Sequence, residues 1–359
     1  MVGNRVAQSD EADEERSLIL VGADRLLRLL TALPGRRAEA LAVVNGFFGD
    51  RLADMGSTLA MPMTLHSGTE VLSLDRDKLS QALPNVTGRI ALLVHGLAST
   101  ESVWGFPGDP DTTYGSLLAR DHSVTPVSLR YNTGRHISIN GREFAKLLHH
   151  LVAAWPVPVS DITLIGHSMG GLVIRSACHY ASATRPWRGL ASFRRSWTSK
   201  VRRVVLVGVP NTGAPLEVFA NLTSAALWSI PFPATRLIGL GLDARSAGIK
   251  DLRFGAITDG DWLEQNPDAR ERPVPHRRAM LRRAAYLIVV GGLTSDPAHP
   301  LERVVGDAFV TTSSASGTLD EATGHGLFPN STMRMFPKVT HIALAHRPEV
   351  YNEIDRWWP

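Results

Sequence analysis

The stretch Asp161-Ile-Thr-Leu-Ile-Gly166-His167-Ser168-Met169-Gly170-Gly171 constrains this chain more than any other. Ile162 to Ile165 is a short apolar run that reads as a buried strand, and Leu172 to Ala181 continues with helical periodicity. Between them stands Gly-x-Ser-x-Gly, so a strand must turn into a helix within a few residues. Glycines at 166, 170 and 171 remove the side chains that would clash across such a turn. Ser168 is expected at its tip, in strained backbone geometry, with its oxygen above the sheet. The helix N-terminus beneath it favours developing negative charge.

The surrounding pattern agrees with an α/β chain. Apolar runs at Ile90 to Val94, Val124 to Leu129, Val204 to Val209 and Tyr286 to Val290 read as strands buried on both faces. Between the second run and Ile162, Gly141 to Trp155 predicts a helix. Its apolar stripe is Phe144, Leu147, Leu148, Leu151, Val152 and Trp155. Asn140 is its expected N-cap, with Glu143 as the capping-box partner. Pro348 opens a closing helix with Val350, Tyr351, Ile354, Trp357 and Trp358. Strands alternating with helices imply a mostly parallel sheet covered on both faces.

Upstream, residues 1–16 read as a disordered start. Residues 17–54 read as a helical extension, broken into two helices at Pro34-Gly35. Met61 to His66 and Glu70 to Leu74, joined at Ser67-Gly68, predict a β-hairpin. About eighty residues separate the strands at Val204 and Tyr286, too many for an ordinary connection, so an inserted element is expected over about 211–283. The main α/β domain is expected over 55–359.

Composition removes several classes of function. With 44% hydrophobic and 20% charged residues, the chain is globular. One cysteine excludes a disulfide framework and a Cys-based metal site, and Cys178 falls on the apolar side of its helix. A net charge of +4 is too mild for a nucleic-acid face. No metal or organic cofactor is expected, and His149-His150 reads as part of a half-exposed helix. The polar, acidic start lacks a signal-peptide pattern. The most apolar stretch, Ala214 to Ala234, is interrupted by Pro231 and Pro233, which argues against a membrane span. A cytoplasmic protein, in peripheral contact with a membrane at most, is the expectation.

Leu92-Leu93-Val94-His95-Gly96-Leu97 ends an earlier strand. In open parallel sheets, ligands bind at the carboxyl ends of strands, so this loop should lie beside Ser168. An oxyanion hole takes one backbone N–H from the residue after the nucleophile and one from such a loop. Met169 and Leu97 are the candidates. Arg130-Tyr131-Asn132 ends the Val124 strand, which makes Tyr131 either a pocket residue or a simple packing residue. His167, beside the serine, is a second candidate substrate contact.

Gly166-His-Ser-Met-Gly-Gly171 with the upstream His95-Gly96 resembles the lipase/esterase branch of the α/β-hydrolase superfamily. The chain is similar there to GPI inositol-deacylases and bacterial triacylglycerol lipases. The resemblance covers about residues 60–359. It also rests on Val209-Pro-Asn211-Thr-Gly213-Ala-Pro215, Gly306-Asp-Ala-Phe-Val310 and His341-Ile-Ala-Leu344. Such lipases often carry Pro-His-x-Gly where this chain has Pro-Asn211. The resemblance implies an α/β-hydrolase fold and a triad in the order Ser, acid, His. Asp307, in Gly-Asp-Ala-Phe-Val, and Asp296, nearer the strand end, compete for the acid, with Asp307 favoured. His341 is the expected base, with His346 and His325 as rivals. The implied activity is hydrolysis of carboxylic esters of lipid-like alcohols. An acyltransferase with the same triad and a non-catalytic lipid-binding protein are the alternatives.

The insert carries Leu216, Val218, Phe219, Leu222, Leu227, Trp228 and Ile230, either a candidate lid over an acyl pocket or a helix packed permanently on the core. Arginine-rich stretches at Arg185 to Arg203, with Trp187, Phe193 and Trp197 interleaved, and at Arg270 to Arg283 suit either a solvated loop or an anionic membrane surface. The expected partner is an acyl ester or lipid substrate. Oligomeric state is not legible.

Overall fold

A computed structural model describes residues 16, 19–28, 31, 37–182, 197–214, 245–263, 281, 283–296, 306–320 and 325–358. Its centre is an eight-stranded sheet. The strands are β1 (Thr64–Ser67), β2 (Glu70–Val71), β3 (Arg89–Val94), β4 (Thr125–Arg130), β5 (Asp161–His167), β6 (Val201–Val207), β7 (Ala285–Gly292) and β10 (Thr332–Pro337). Their order across the sheet is β10-β7-β6-β5-β3-β4-β1-β2. From β10 to β4 every pairing is parallel; β1 runs antiparallel to β4 and forms the hairpin with β2. A separate two-stranded ribbon joins β8 (Thr318–Asp320) to β9 (His325–Gly326).

Eight helices are named here in chain order: α1 (Arg37–Asp54), α2 (Arg76–Ala82), α3 (Tyr114–His122), α4 (Ile137–Ala154), α5 (Met169–Ser182), α6 (Ala247–Phe254), α7 (Thr312–Ser316) and α8 (Pro348–Trp357). Residues 19–28 are helical as well. The period-2 geometry of a strand explains the layering. Ile90, Leu92 and Val94 of β3 join Leu164 of β5 and Leu206 of β6 in the core under α4 and α5, with Phe144, Leu148, Leu151 and Leu172. Ala91 and Leu93 point the other way, with Ile165, Val205, Leu287 and Val289. They pack on Trp104, Leu118, Val350, Tyr351 and Ile354 beneath α3 and α8. A continuous apolar strand is therefore two half-strands, each owned by a different helical layer. Each such Val, Leu or Ile side chain contributes about 1.5–3 kcal/mol on burial.

Helix α4 departs from the expected start. It begins at Ile137, with His136 at its N-cap and no side-chain cap. Asn140 lies inside the helix and donates to Asn132 O at 2.9 Å. Glu143 pairs with Arg135 at 2.7 Å. The local capping pattern is overridden because Asp251 of α6 takes over the helix start: its Oδ2 accepts the Ile137 N–H at 2.7 Å. Short helices α2 and α3, without a long periodic stripe, escaped sequence reading. Each is started by a side-chain cap, from Asp75 and Thr113 respectively.

Two members of the first arginine-rich stretch are spent on structure. Trp197 is fully buried in the core. Arg203 pairs with Asp161 at 2.7 Å and lies over the Trp358 ring. Cys178 is buried, which pushes its thiol up to about 12. Residues 1–15, the lid candidates 216–230, and 185–196 and 270–280 of the arginine-rich stretches lie outside the described residues. Among the described residues no helix is long and apolar enough to cross a membrane.

Candidate active site

Ser168 occupies the turn between β5 and α5 with φ 54°, left-handed for a non-glycine residue. Such a conformation costs about 1–2 kcal/mol, and its neighbours hold it. Ser168 N donates to Val207 O at 2.9 Å, and Gly171 N donates to Ser168 O at 3.0 Å. The three glycines are each required by contact. A Cβ at Gly166 would lie 2.6 Å from Gly171 N, one at Gly170 would lie 2.2 Å from Val94 O, and one at Gly171 would lie 2.1 Å from Val209 Cγ2.

The loop after β3 crosses directly over the serine. A Cβ on Gly96 would meet Ser168 Cβ at 2.9 Å and Ser168 Oγ at 3.4 Å. The structure thus brings the two sequence motifs together at the carboxyl edge of β3 and β5. Met169 N belongs to the first residue of α5, where an N–H has no intrahelical acceptor. Leu97 follows Gly96 on the same loop and packs against the core.

Asp307 and His341 meet at the ends of β7 and β10. Asp307 is fully buried, and its Oδ2 accepts from His341 Nδ1 at 2.8 Å. Its Oδ1 accepts from Phe309 N at 3.0 Å and Val310 N at 2.8 Å. The main chains are tied as well, His341 N donating to Asp307 O at 3.0 Å. With Nδ1 donating to the carboxylate, Nε2 of a neutral His341 keeps its lone pair. Asp296, the rival acid, lies exposed in the loop after β7. Of the rival bases, His346 Nδ1 lies 3.0 Å from Val103 O, and His325 lies in β9.

Gly208 connects the two halves of the site. It follows β6, has φ 58°, and donates its N–H to Val289 O at 2.9 Å. A Cβ there would stand 3.2 Å from His341 Nδ1 and 3.3 Å from Asp307 Oδ2. Its neighbour Val207 holds the Ser168 N–H. Sequence reading missed Gly208. The available signal was a glycine interrupting the apolar run Val204 to Val209, which marks close backbone approach. Ser168 Oγ itself is not hydrogen-bonded to His341.

The two expected substrate contacts are both interior side chains. Tyr131 is 1% exposed, its ring stacks on His95 at 4.7 Å, and its hydroxyl donates to His95 O at 2.9 Å. It supports the loop over Ser168 from beneath, because the apolar ring gains more from the core than from a solvated cleft. His167 is 3% exposed, and its Nε2 lies 2.9 Å from His341 O. Burial pushes His167 down to about 3 and His95 down to about 4, so both are neutral near pH 7. A neutral His167 donates from Nε2 to that carbonyl. Asn211 is also interior: its Nδ2 donates to Ala315 O at 2.8 Å, and its Oδ1 accepts from Arg175 at 3.0 Å. Among the described residues no cluster of three or more His, Cys, Asp or Glu could hold a metal ion.

The doubly covered parallel sheet, with a serine on a strained strand-to-helix turn, defines an α/β-hydrolase architecture. The family model described as "Alpha/beta hydrolase family" matches residues 91–354, and the chain belongs to that family. No curated protein matches the sequence. Similar solved structures include the mature lipase BlEst2 of Bacillus licheniformis, at 16% identity over 75% of this chain and 91% of that one, TM-score 0.46. EstA from Clostridium botulinum is similar at 13% identity over 76% and 87%, TM-score 0.44. Lipase 1 from Pelosinus fermentans is similar at 13% identity over 76% and 98%, TM-score 0.43.

Proposed function

We propose that this chain is a serine hydrolase of carboxylic esters of lipid-like alcohols, working through an acyl-enzyme. The observation that carries the reading is the strained Ser168 turn with the buried Asp307–His341 pair across Gly208. Ser168 Oγ attacks the ester carbonyl carbon while His341 Nε2 takes its proton. The carbonyl oxygen becomes an oxyanion, held by the N–H groups of Met169 and Leu97. Collapse of this intermediate breaks the C–O bond to the alcohol, which leaves with the proton from His341. Water then attacks the acyl-enzyme, giving its proton to His341, and the acid departs as Ser168 recovers its proton.

Asp307 keeps His341 in the tautomer this sequence needs and stabilises the imidazolium. Its Oδ1 is already held by two backbone N–H groups, so the carboxylate has no freedom to turn away. The lipid-like substrate class is supported by the apolar sequence after β6, from Val218 to Ile230, which suits an acyl chain better than a polar substrate.

Hydrolysis of a p-nitrophenyl ester series, short to long acyl, tests the reading with wild type and Ser168→Ala. Turnover by wild type and a loss of up to about a million-fold in the variant are expected. A wild type inert on every ester, with Ser168 unlabelled by a fluorophosphonate probe, overturns it.

A further inference from the structure

We propose that helix α1, which lies outside the residues matched by the family model, is one jaw of a clamp that positions the oxyanion loop. Thr133 is the other jaw, and the segment held is Leu97-Ala98. The inference rests on the reading of Leu97 as an oxyanion donor.

Ala98 follows Leu97 directly and has φ 54°, left-handed for a residue with a Cβ. Something must hold it there. On one side is Gly46 of α1. A Cβ at Gly46 would lie 2.8 Å from Ala98 Cβ, 3.2 Å from its Cα and 3.4 Å from its N. The main chain of the loop therefore rests on the bare backbone of the helix. On the other side, Thr133 Oγ1 accepts the Ala98 N–H at 3.1 Å.

The helix is itself fixed to the same edge of the sheet. Gly49, one turn beyond Gly46, approaches Asn132, whose Nδ2 donates to Gly49 O at 2.7 Å. A Cβ at Gly49 would meet Asn132 Oδ1 at 1.9 Å. Ser246 Oγ donates to Gly46 O at 2.7 Å, and Asp50 Oδ2 accepts the Ala247 N–H at 2.8 Å. On its far side α1 buries Val44, Phe48 and Leu52 against Ile19, Ala23 and Leu26. A mid-helix glycine weakens a helix relative to alanine. At positions 46 and 49 that cost purchases close approach to the loops after β3 and β4. The helix contributes no reacting group; it acts through the position of the Leu97 N–H.

The test compares kcat and KM for the best p-nitrophenyl ester across single and paired variants. Gly46→Ala is expected to lower kcat by about 10-fold or more, since loss of one oxyanion donor costs about 10²–10³. KM should stay within about 3-fold, because only the transition state uses the hole. Affinity for a trifluoromethyl ketone of the same acyl chain should fall in parallel with kcat. Adding Ala98→Gly removes the clashing Cβ and should restore kcat. Gly22→Ala, in open space on the outer helix, should match wild type. Thr133→Val, which adds nothing to the helix interface, should also lower kcat, and Thr133→Ser should restore it.

A folded Gly46→Ala with wild-type kcat, or one not rescued by Ala98→Gly, overturns the clamp. If Gly46→Ala does not fold, wild-type kcat in Thr133→Val overturns it. Ser168→Ala is assayed alongside. Turnover persisting there refutes the serine mechanism, whereas an inert Ser168→Ala with unimpaired clamp variants refutes the clamp alone.

Discussion

His167 Nε2 lies 2.9 Å from the carbonyl oxygen of His341, and the two rings are 4.8 Å apart. The residue before the proposed nucleophile thus holds the backbone of the proposed base. One contact couples the strained turn after β5 to the loop after β10, 174 residues away in sequence. Replacing His167 by leucine leaves the His341 carbonyl without this donor. A loss of about 1–3 kcal/mol is expected for a buried group left unsatisfied. Thermal denaturation should show the lower stability, and kcat should fall with it. A leucine variant with wild-type melting temperature and kcat would deny His167 this part.

The same residue predicts acid sensitivity. Burial holds His167 neutral to about pH 3 and His95 to about pH 4, against an ordinary value of 6.5. Below pH 6.5 the unfolded chain therefore binds more protons than the folded one, and stability falls as pH falls. Stability from these two groups is fully present above 6.5 and is lost as pH falls, down to about 4 for His95 and about 3 for His167. Each contributes up to about 1.4 kcal/mol per pH unit inside that window. Denaturant titrations at pH 7, 6, 5 and 4 should show His167→Gln losing less stability with acid than wild type. Equal slopes would refute the assignment.

Asp307 and Asp296 make a discriminating pair. Asp307→Asn keeps the side-chain shape but reverses the hydrogen-bond preference toward His341 Nδ1, and kcat should drop by about 10⁴-fold. Asp296→Asn, on an exposed loop, should retain turnover. The reverse result would move the acid to Asp296.

Gly96 and Gly208 predict loss without replacing an ionisable group. Gly96→Ala puts a Cβ 2.9 Å from Ser168 Cβ. Gly208→Ala forces a left-handed alanine and places its Cβ 3.2 Å from His341 Nδ1. Both should lose at least about 100-fold in kcat, given that small misplacements at a site carry such costs. Fluorophosphonate labelling of Ser168 in the folded variants checks it: labelling at wild-type rate contradicts the prediction.

The sequence by itself determined the local grammar. Gly166-x-Ser168-x-Gly170 between an apolar run and a helical stripe admits few shapes besides the observed turn. The strands at Ile90, Ile162, Val204 and Tyr286 were legible because residues buried on both faces read as unbroken apolar runs. The chain order Ser168, Asp307, His341 came from family resemblance, as an expectation. Tertiary structure decided which loops meet. It paired Asp307 with His341, turned Tyr131 and His167 inward, and gave the start of α4 to Asp251 instead of Asn140. It also laid α1 on Ala98, a contact no periodicity encodes. Periodicity and turn chemistry act over a few residues, whereas these contacts join segments brought together only when the strands stack side by side and their carboxyl ends share one edge.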